Sequence, residues 1–149
     1  MRTFVLKINP QKMTSNSDTK IKNPFLQPYN TIHNTIPFSI IKESDFKPAI
    51  IAGMQIEDEE IEEIINNPET PTFENTIIAF ANSGEILNKV ETTLGNLLTA
   101  CTSDFLENLA QEMTPLLTEH STHILYNEKL FARIKQVKNS KLDLAEEDQ

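Results

Sequence analysis

The spacing of apolar residues most constrains what this sequence can fold into, because it favours helices through most of the chain. In two segments the apolar positions recur alternately at intervals of three and four, which places them on one face of an α-helix. The first face comprises Leu87, Val90, Leu94, Leu97 and Cys101. The second comprises Leu106, Leu109, Met113, Leu116 and His120. No segment alternates convincingly with the period of two that marks a half-buried strand, so we expect an all-α protein.

Capping and helix-breaking residues divide this pattern into about four helices joined by short turns, an antiparallel bundle-like arrangement. The first helix is predicted to begin at Ser44 or Asp45 and to end at Asn66 or Asn67, before Pro68. The other predicted boundaries are an N-cap at Thr72, a kink or break near Ser83-Gly84, an N-cap at Ser103, a kink at Pro115 and a turn at Tyr126-Asn127. The low content of glycine, 3 of 149 residues, agrees with a helical chain.

The N-terminal part differs from this helical body. Residues 1–22 carry a net charge of +4 and few apolar residues, a composition typical of a disordered leader. From residue 23 to about residue 43 the chain contains Pro24, Pro28 and Pro37 between apolar residues. Each proline pushes the preceding residue out of the helical region. We therefore expect an extended strap that packs its apolar side chains onto the helices.

Net charge and cysteine content exclude several classes of function. The formal charge is −9, which disfavours partners that are recognised through their phosphates, namely nucleic acids and anionic membranes. No run of apolar residues is long enough to span a membrane. The single cysteine, Cys101, cannot form an internal disulfide. These features predict a cytoplasmic protein.

Four features invite a chemical role, and for each the structural interpretation is the stronger one. The acidic run of residues 57–63 is expected to be a solvated helix face. His120 and His123 could both face one metal ion, but a zinc site needs three or four ligands, so we expect His120 to be a packed or capping residue. Cys101 is expected to be a buried thiol, and His33 a surface or packing residue.

Motifs of known chemistry do not occur in the sequence. There is no His-Glu-x-x-His, Gly-x-Ser-x-Gly, Walker loop or dinucleotide fingerprint. We therefore predict no catalytic, cofactor-binding or metal-binding residue in this chain.

Several motifs in the same order do resemble a known family over residues 23–149. They are Asn23-Pro24-Phe25-Leu26, Pro37-Phe38, Phe46-Lys47-Pro48-Ala49, Gly53-Met54, Asn66-Asn67-Pro68, Pro71-Thr72-Phe73-Glu74-Asn75-Thr76, Ser83-Gly84, Pro115-Leu116-Leu117 with His120, Asn127, and Leu130-Phe131-Ala132-Arg133-Ile134. This set resembles the N-terminal helical region of the family of thimet oligopeptidase, oligopeptidase A and the bacterial peptidyl-dipeptidases. Members of that family are all-helical zinc metallopeptidases that bind short peptides in a channel between two lobes.

The resemblance implies a non-catalytic role for this chain. The family's zinc ligands and catalytic base belong to a His-Glu-x-x-His helix and a distant Glu, and no residue here matches them. Residues 23–149 are therefore expected to be part of the N-terminal lobe of a larger, zinc-containing enzyme whose catalytic domain is absent from this sequence. Residues 142–149 resemble the start of the family's next helix, which is typical of a truncated chain.

The partners implied are the remainder of the catalytic domain and, in the intact enzyme, short peptides. An alternative hypothesis is a stand-alone acidic helical module that binds a partner, or a second copy, through exposed apolar faces. A third, autonomous hydrolysis by this chain, would require His120 or His123 to act in catalysis. The chain alone is predicted to be inactive.

Overall fold

The computed structural model describes residues 23–29 and 31–140, and all regular structure within them is helical. Helix α1 is Glu43–Ile65, α2 is Ala79–Ala81, α3 is Glu85–Ala100, α4 is Asp104–Leu125 and α5 is Glu128–Asn139. A π-helical turn, Phe73–Ile78, leads directly into α2, and short 3-10 turns lie at Pro24–Leu26 and Ile32–Asn34. With α2 and α3 as the halves of one interrupted helix, this confirms the predicted all-α arrangement of about four helices. The predicted leader and the segment 142–149 lie outside the described residues.

The contacts of α1 show how the main helices are oriented. Toward α3, the contact pairs are Gly53 with Leu87 and Glu60 with Gly84. Toward α4, the contact pairs are Glu43 with Ser103, Lys47 with Glu112 and Glu57 with His120. Residue numbers therefore run in opposite directions along α1 and α3 and in the same direction along α1 and α4. Helices that follow each other closely in sequence are antiparallel, as short connections require.

Two clusters of buried residues form the core. The larger lies between the 3-10 turn at Pro24–Leu26, α1, α3 and α4, and its buried members are Phe25, Phe46, Ala49, Ile50, Leu87, Val90, Leu94, Leu106, Leu109 and Met113. The smaller lies where the C-terminal half of α1 meets the end of α4 and α5, and its buried members are Ile61, Ile64, Ile124 and Leu130. The two predicted helical faces thus supply six of the ten buried residues of the larger cluster, namely Leu87, Val90, Leu94, Leu106, Leu109 and Met113.

The predicted strap packs onto the helices near its two ends. Phe25 is 2% exposed and stacks at 4.9 Å on Phe46, while Asn23 accepts a hydrogen bond from the Phe25 amide and donates one to the Asp45 carbonyl. Tyr29 is also buried, and Lys89 lies over its ring. The expectation is wrong for Ile32, Phe38 and Ile40, whose side chains are exposed, whereas Ile41 packs against the larger core cluster.

Most of the predicted helix boundaries are confirmed. Thr72 and Ser103 accept N-cap hydrogen bonds, and Gly84 interrupts the second helix with a positive φ of 71°. Asn127 ends the turn between α4 and α5 and caps α5. The start of α1 is corrected: its N-cap is Lys42, whose amide donates to the Asp45 carboxylate at 2.8 Å.

Two residues of the predicted helices need further comment. Cys101 is exposed, which corrects the expectation of a buried thiol. The reason is that α3 ends at Ala100, so the backbone turns away before Cys101 can continue the apolar face. Pro115 does not end α4, which continues to Leu125; the predicted kink stays a prediction.

Candidate functional site at the acidic turn of the first helix

The acidic run of α1 is divided between solvent and neighbouring helices. Glu59, Glu62 and Glu63 are exposed, as predicted for a solvated face. Glu57 and Glu60 are half-buried, which corrects the prediction for these two residues. Because α1 is the central helix, the side of it that carries Glu57 and Glu60 faces α3 and α4, and the two carboxylates meet polar groups there.

His120 joins α4 to this acidic turn. Its Nε2 lies 2.9 Å from the Glu57 Oε2, and its Nδ1 lies 3.5 Å from the Asp58 Oδ1. The His120 side chain is 8% exposed and that of Glu57 is 18% exposed, so the pair is shielded from solvent. This confirms the prediction that His120 is packed, and it identifies the carboxylate that satisfies its ring.

Gly84 joins the start of α3 to the same turn. Its amide donates a hydrogen bond of 2.8 Å to Glu60 Oε2, which satisfies a free N–H at the start of α3, where a negative charge is also favourable for the helix dipole. A Cβ at Gly84 would lie 2.5 Å from Glu57 Oε1. Only glycine combines the positive φ with this close approach. We call Glu57, Asp58, Glu60, Gly84 and His120 the acidic joint.

Desolvation shifts the protonation equilibria of Glu60 in the acidic joint and of Glu91 beside it. Desolvation raises the pKa of Glu60 above its ordinary value, against the hydrogen bond from Gly84, and the negative charges of neighbouring glutamates raise it further. Desolvation also raises the pKa of Glu91 on α3, with a contribution from Glu57 in the same direction and from His120 in the opposite one. In the folded state the ionised forms of Glu60 and Glu91 are therefore less favourable than they are in water.

The residues of the joint do not fit a zinc ion. Among the described residues no group of three His, Cys, Asp or Glu side chains is placed to hold a metal. Both ring nitrogens of His120 already face carboxylates of α1, and His123 is exposed. His33, with a φ of 59°, is exposed in a 3-10 turn of the strap. The zinc that the family resemblance implies would need ligands other than these.

A second joint surrounds Arg133, whose burial we did not predict from the sequence. Arg133 is buried on α5, and its guanidinium donates to the Asn67 carbonyl at 2.8 Å and, in longer contacts, to the Glu69 carbonyl and the Asn75 side chain. Asn67 follows the end of α1, where carbonyl groups lack helical partners and a positive charge is favourable.

Asn75 completes this second joint by organising the loop before α2. Its Oδ1 accepts from the Thr72 amide and the Thr76 hydroxyl, and its Nδ2 donates to the Thr70 carbonyl. Thr76 is fully buried. The spacing of Arg133 relative to Leu130 and Val137, both on the buried face of α5, was the available signal that this arginine would be buried.

Most polar groups of the two joints bond neighbouring helices or the loops that connect them, while the Arg133 Nε is buried without a hydrogen-bond partner. No family model matches the chain. It is 36% identical over 120 residues to dipeptidyl carboxypeptidase of Escherichia coli strain K12, an alignment that covers 77% of this chain and 17% of that protein. It is 32% identical to dipeptidyl carboxypeptidase of Salmonella typhimurium strain LT2 over 85% of this chain and 19% of that protein.

A third relative bears a different name. The chain is 29% identical to oligopeptidase A of Haemophilus influenzae strain Rd, over 80% of this chain and 17% of that protein. The chain therefore belongs to the peptidase family of dipeptidyl carboxypeptidase and oligopeptidase A, and it spans less than a fifth of the length of these curated relatives.

Several of the motifs that suggested the resemblance contribute residues to the two joints. Asn67, Asn75, Gly84, His120 and Arg133 all belong to those motifs, and each makes a contact between elements in the structure. The arrangement thus explains these residues through packing of the helices. No helix among the described residues is both long and apolar enough to cross a membrane.

Proposed function

We propose that this chain is a non-catalytic part of a zinc-dependent peptidyl-dipeptidase or oligopeptidase and that it helps to form the wall of the channel that admits short peptides. The observation that carries the proposal is the match of 77–85% of the chain to under a fifth of each related peptidase. In the proposed enzyme this segment forms part of the wall of the substrate channel. A channel wall acts by restricting which peptides reach the catalytic centre.

The chemistry of the two joints supports a structural role within that enzyme. His120 and Glu57 hydrogen-bond each other, and Arg133 bonds backbone carbonyls of the loop after α1. The sequence contains no His-Glu-x-x-His motif, so the zinc ligands would come from other residues of the intact protein. The partners proposed are the remainder of that enzyme and its peptide substrates, and the proposed compartment is the cytoplasm.

A chimeric enzyme tests this proposal. The segment of Escherichia coli dipeptidyl carboxypeptidase that aligns with this chain would be deleted or replaced by this chain. We expect the deletion to abolish hydrolysis of a short blocked peptide and the replacement to restore it. Substitutions on the side of this chain that faces the channel should change the length of the longest peptide that the chimera hydrolyses. Full activity and an unchanged length limit after deletion would contradict the proposal.

The second candidate function is a helical interaction module without enzymatic activity. It is favoured by the exposure of Leu125, Tyr126 and Phe131, which are 74%, 81% and 65% accessible, since large exposed apolar side chains mark interaction surfaces. The two candidates differ in the chimera experiment, because a stand-alone module would not restore peptidase activity to the deleted enzyme.

A further inference from the structure

The exposed side of α5 carries a regular pattern of charged and aromatic residues. Four exposed residues follow one another at intervals of three, four and three, and therefore share one face of the helix. They are Glu128, Phe131, Lys135 and Lys138. Leu125 and Tyr126, which are also strongly exposed, immediately precede this helix. We call these six residues the α5 stripe.

The order of residues in the α5 stripe is complementary to itself in the reverse direction. If two copies of α5 are placed antiparallel about a two-fold axis beside Phe131, Lys135 of each copy comes opposite Glu128 of the other. The two Phe131 rings then lie on the same side of the interface and meet beside the two-fold axis. Lys138 reaches the Leu125–Tyr126 end of the second copy. A two-fold contact requires this kind of self-complementary surface.

We propose that a second copy of this chain docks on the α5 stripe in this antiparallel arrangement. Two symmetric Lys135–Glu128 ion pairs set the register, and the aromatic and leucine side chains supply the apolar burial. The stripe carries two lysines and one glutamate on a chain of net charge −9. Its local charge is therefore opposite in sign to that of the whole chain.

The size of the stripe fits a weak dimer. An aromatic side chain buries about 150–250 Å² when it is fully covered, and Tyr126 and Phe131 are 81% and 65% exposed. Together with Leu125 they offer on the order of 400 Å² per copy, to which the lysine stems add. The total over both copies is about 1,000 Å², at the lower end for specific transient interfaces. A contact of this size is typical of weak, reversible association.

Sedimentation velocity of the 149-residue chain between about 1 and 200 μM measures this association. We expect a monomer–dimer equilibrium. The substitution Phe131→Lys should raise the dissociation constant by at least about tenfold, because it brings charge to the two-fold axis. All of these side chains are exposed, so circular dichroism should show unchanged helix content in the variants.

The register is tested by exchanging the charges. Lys135→Glu alone should weaken the dimer by roughly tenfold, since it places two glutamates opposite each other, and combining it with Glu128→Lys should restore the affinity. Lys129→Glu, on the other flank of α5, is the matched control and should leave the dimer unchanged. A monomer at every concentration would overturn the proposal. So would a dimer that is insensitive to Phe131→Lys, or one that the double exchange fails to restore.

Discussion

Replacement of Gly84 by alanine is the substitution whose effect the structure defines most sharply. Gly84 lies between α2 and α3 with a φ of 71°, and a Cβ there would lie 2.5 Å from Glu57 Oε1 and 2.7 Å from the Glu57 Cδ. Two separate costs follow. The left-handed backbone is unfavourable for any residue with a Cβ, and the new methyl group displaces the carboxylate that binds His120.

The two costs can be added because they act on different groups. A left-handed conformation costs about 1–2 kcal/mol for alanine relative to glycine. Loss or lengthening of the Glu57–His120 hydrogen bond costs about 1 kcal/mol. We therefore expect Gly84→Ala to lower the free energy of unfolding by about 2–3 kcal/mol. For a domain of this size that corresponds to a fall in melting temperature of roughly 5–10 °C.

Gly95→Ala provides the matched control for this prediction. Gly95 lies within α3 with nothing within 4 Å of an added Cβ, so alanine should stabilise the helix by about 0.5–1 kcal/mol. Urea unfolding followed by circular dichroism measures both effects. In a Glu57→Ala background, Gly84→Ala should retain only its backbone cost. A change of less than about 0.5 kcal/mol for Gly84→Ala, the range of ordinary surface substitutions, would refute the role of the joint.

Three further predictions concern other parts of the molecule. Arg133→Met should lower the free energy of unfolding by about 2–3 kcal/mol, because it leaves the Asn67 carbonyl without its buried partner; Lys129→Met, an exposed control on the same helix, should change it by less than about 0.5 kcal/mol in urea unfolding. Glu91→Gln should stabilise the protein at pH 7, since burial raises the pKa of Glu91 and disfavours its ionised form in the folded state. That gain should disappear as the pH falls through the raised pKa to the ordinary value of 4.5, which unfolding measured across this range would show. Cys101, which is exposed, should react with a thiol reagent in the native protein as fast as a small free thiol, whereas a reaction limited by unfolding would contradict its placement.

The sequence was sufficient to predict the helices because their signals are local. Apolar spacing and capping residues determine where α3, α4 and α5 begin, and Thr72, Ser103 and Asn127 act in the structure as their residue types suggest. Cys101 was placed wrongly for a related reason. Apolar periodicity does not indicate where a helix ends, and the end of α3 at Ala100 moves the thiol into solvent.

The two joints were harder to predict because their partners are distant in sequence. Glu57 and His120 are 63 residues apart, and Arg133 and Asn67 are 66 apart. Neither a helical wheel nor a capping rule relates such positions. A run of acidic residues usually marks a solvated face, and only the packing of α1 between α3 and α4 shows that Glu57 and Glu60 are exceptions.

The most direct test of the central claim, that these polar residues join helices, is a double-mutant cycle between Glu57 and His120. The free energy of unfolding would be measured for Glu57→Ala, His120→Ala and the double variant at one pH. Because the pair is 2.9 Å apart and largely shielded from solvent, we predict a coupling energy of about 1–2 kcal/mol. Strictly additive effects would contradict the account, because they would mean that the acidic joint does not hold α1 and α4 together.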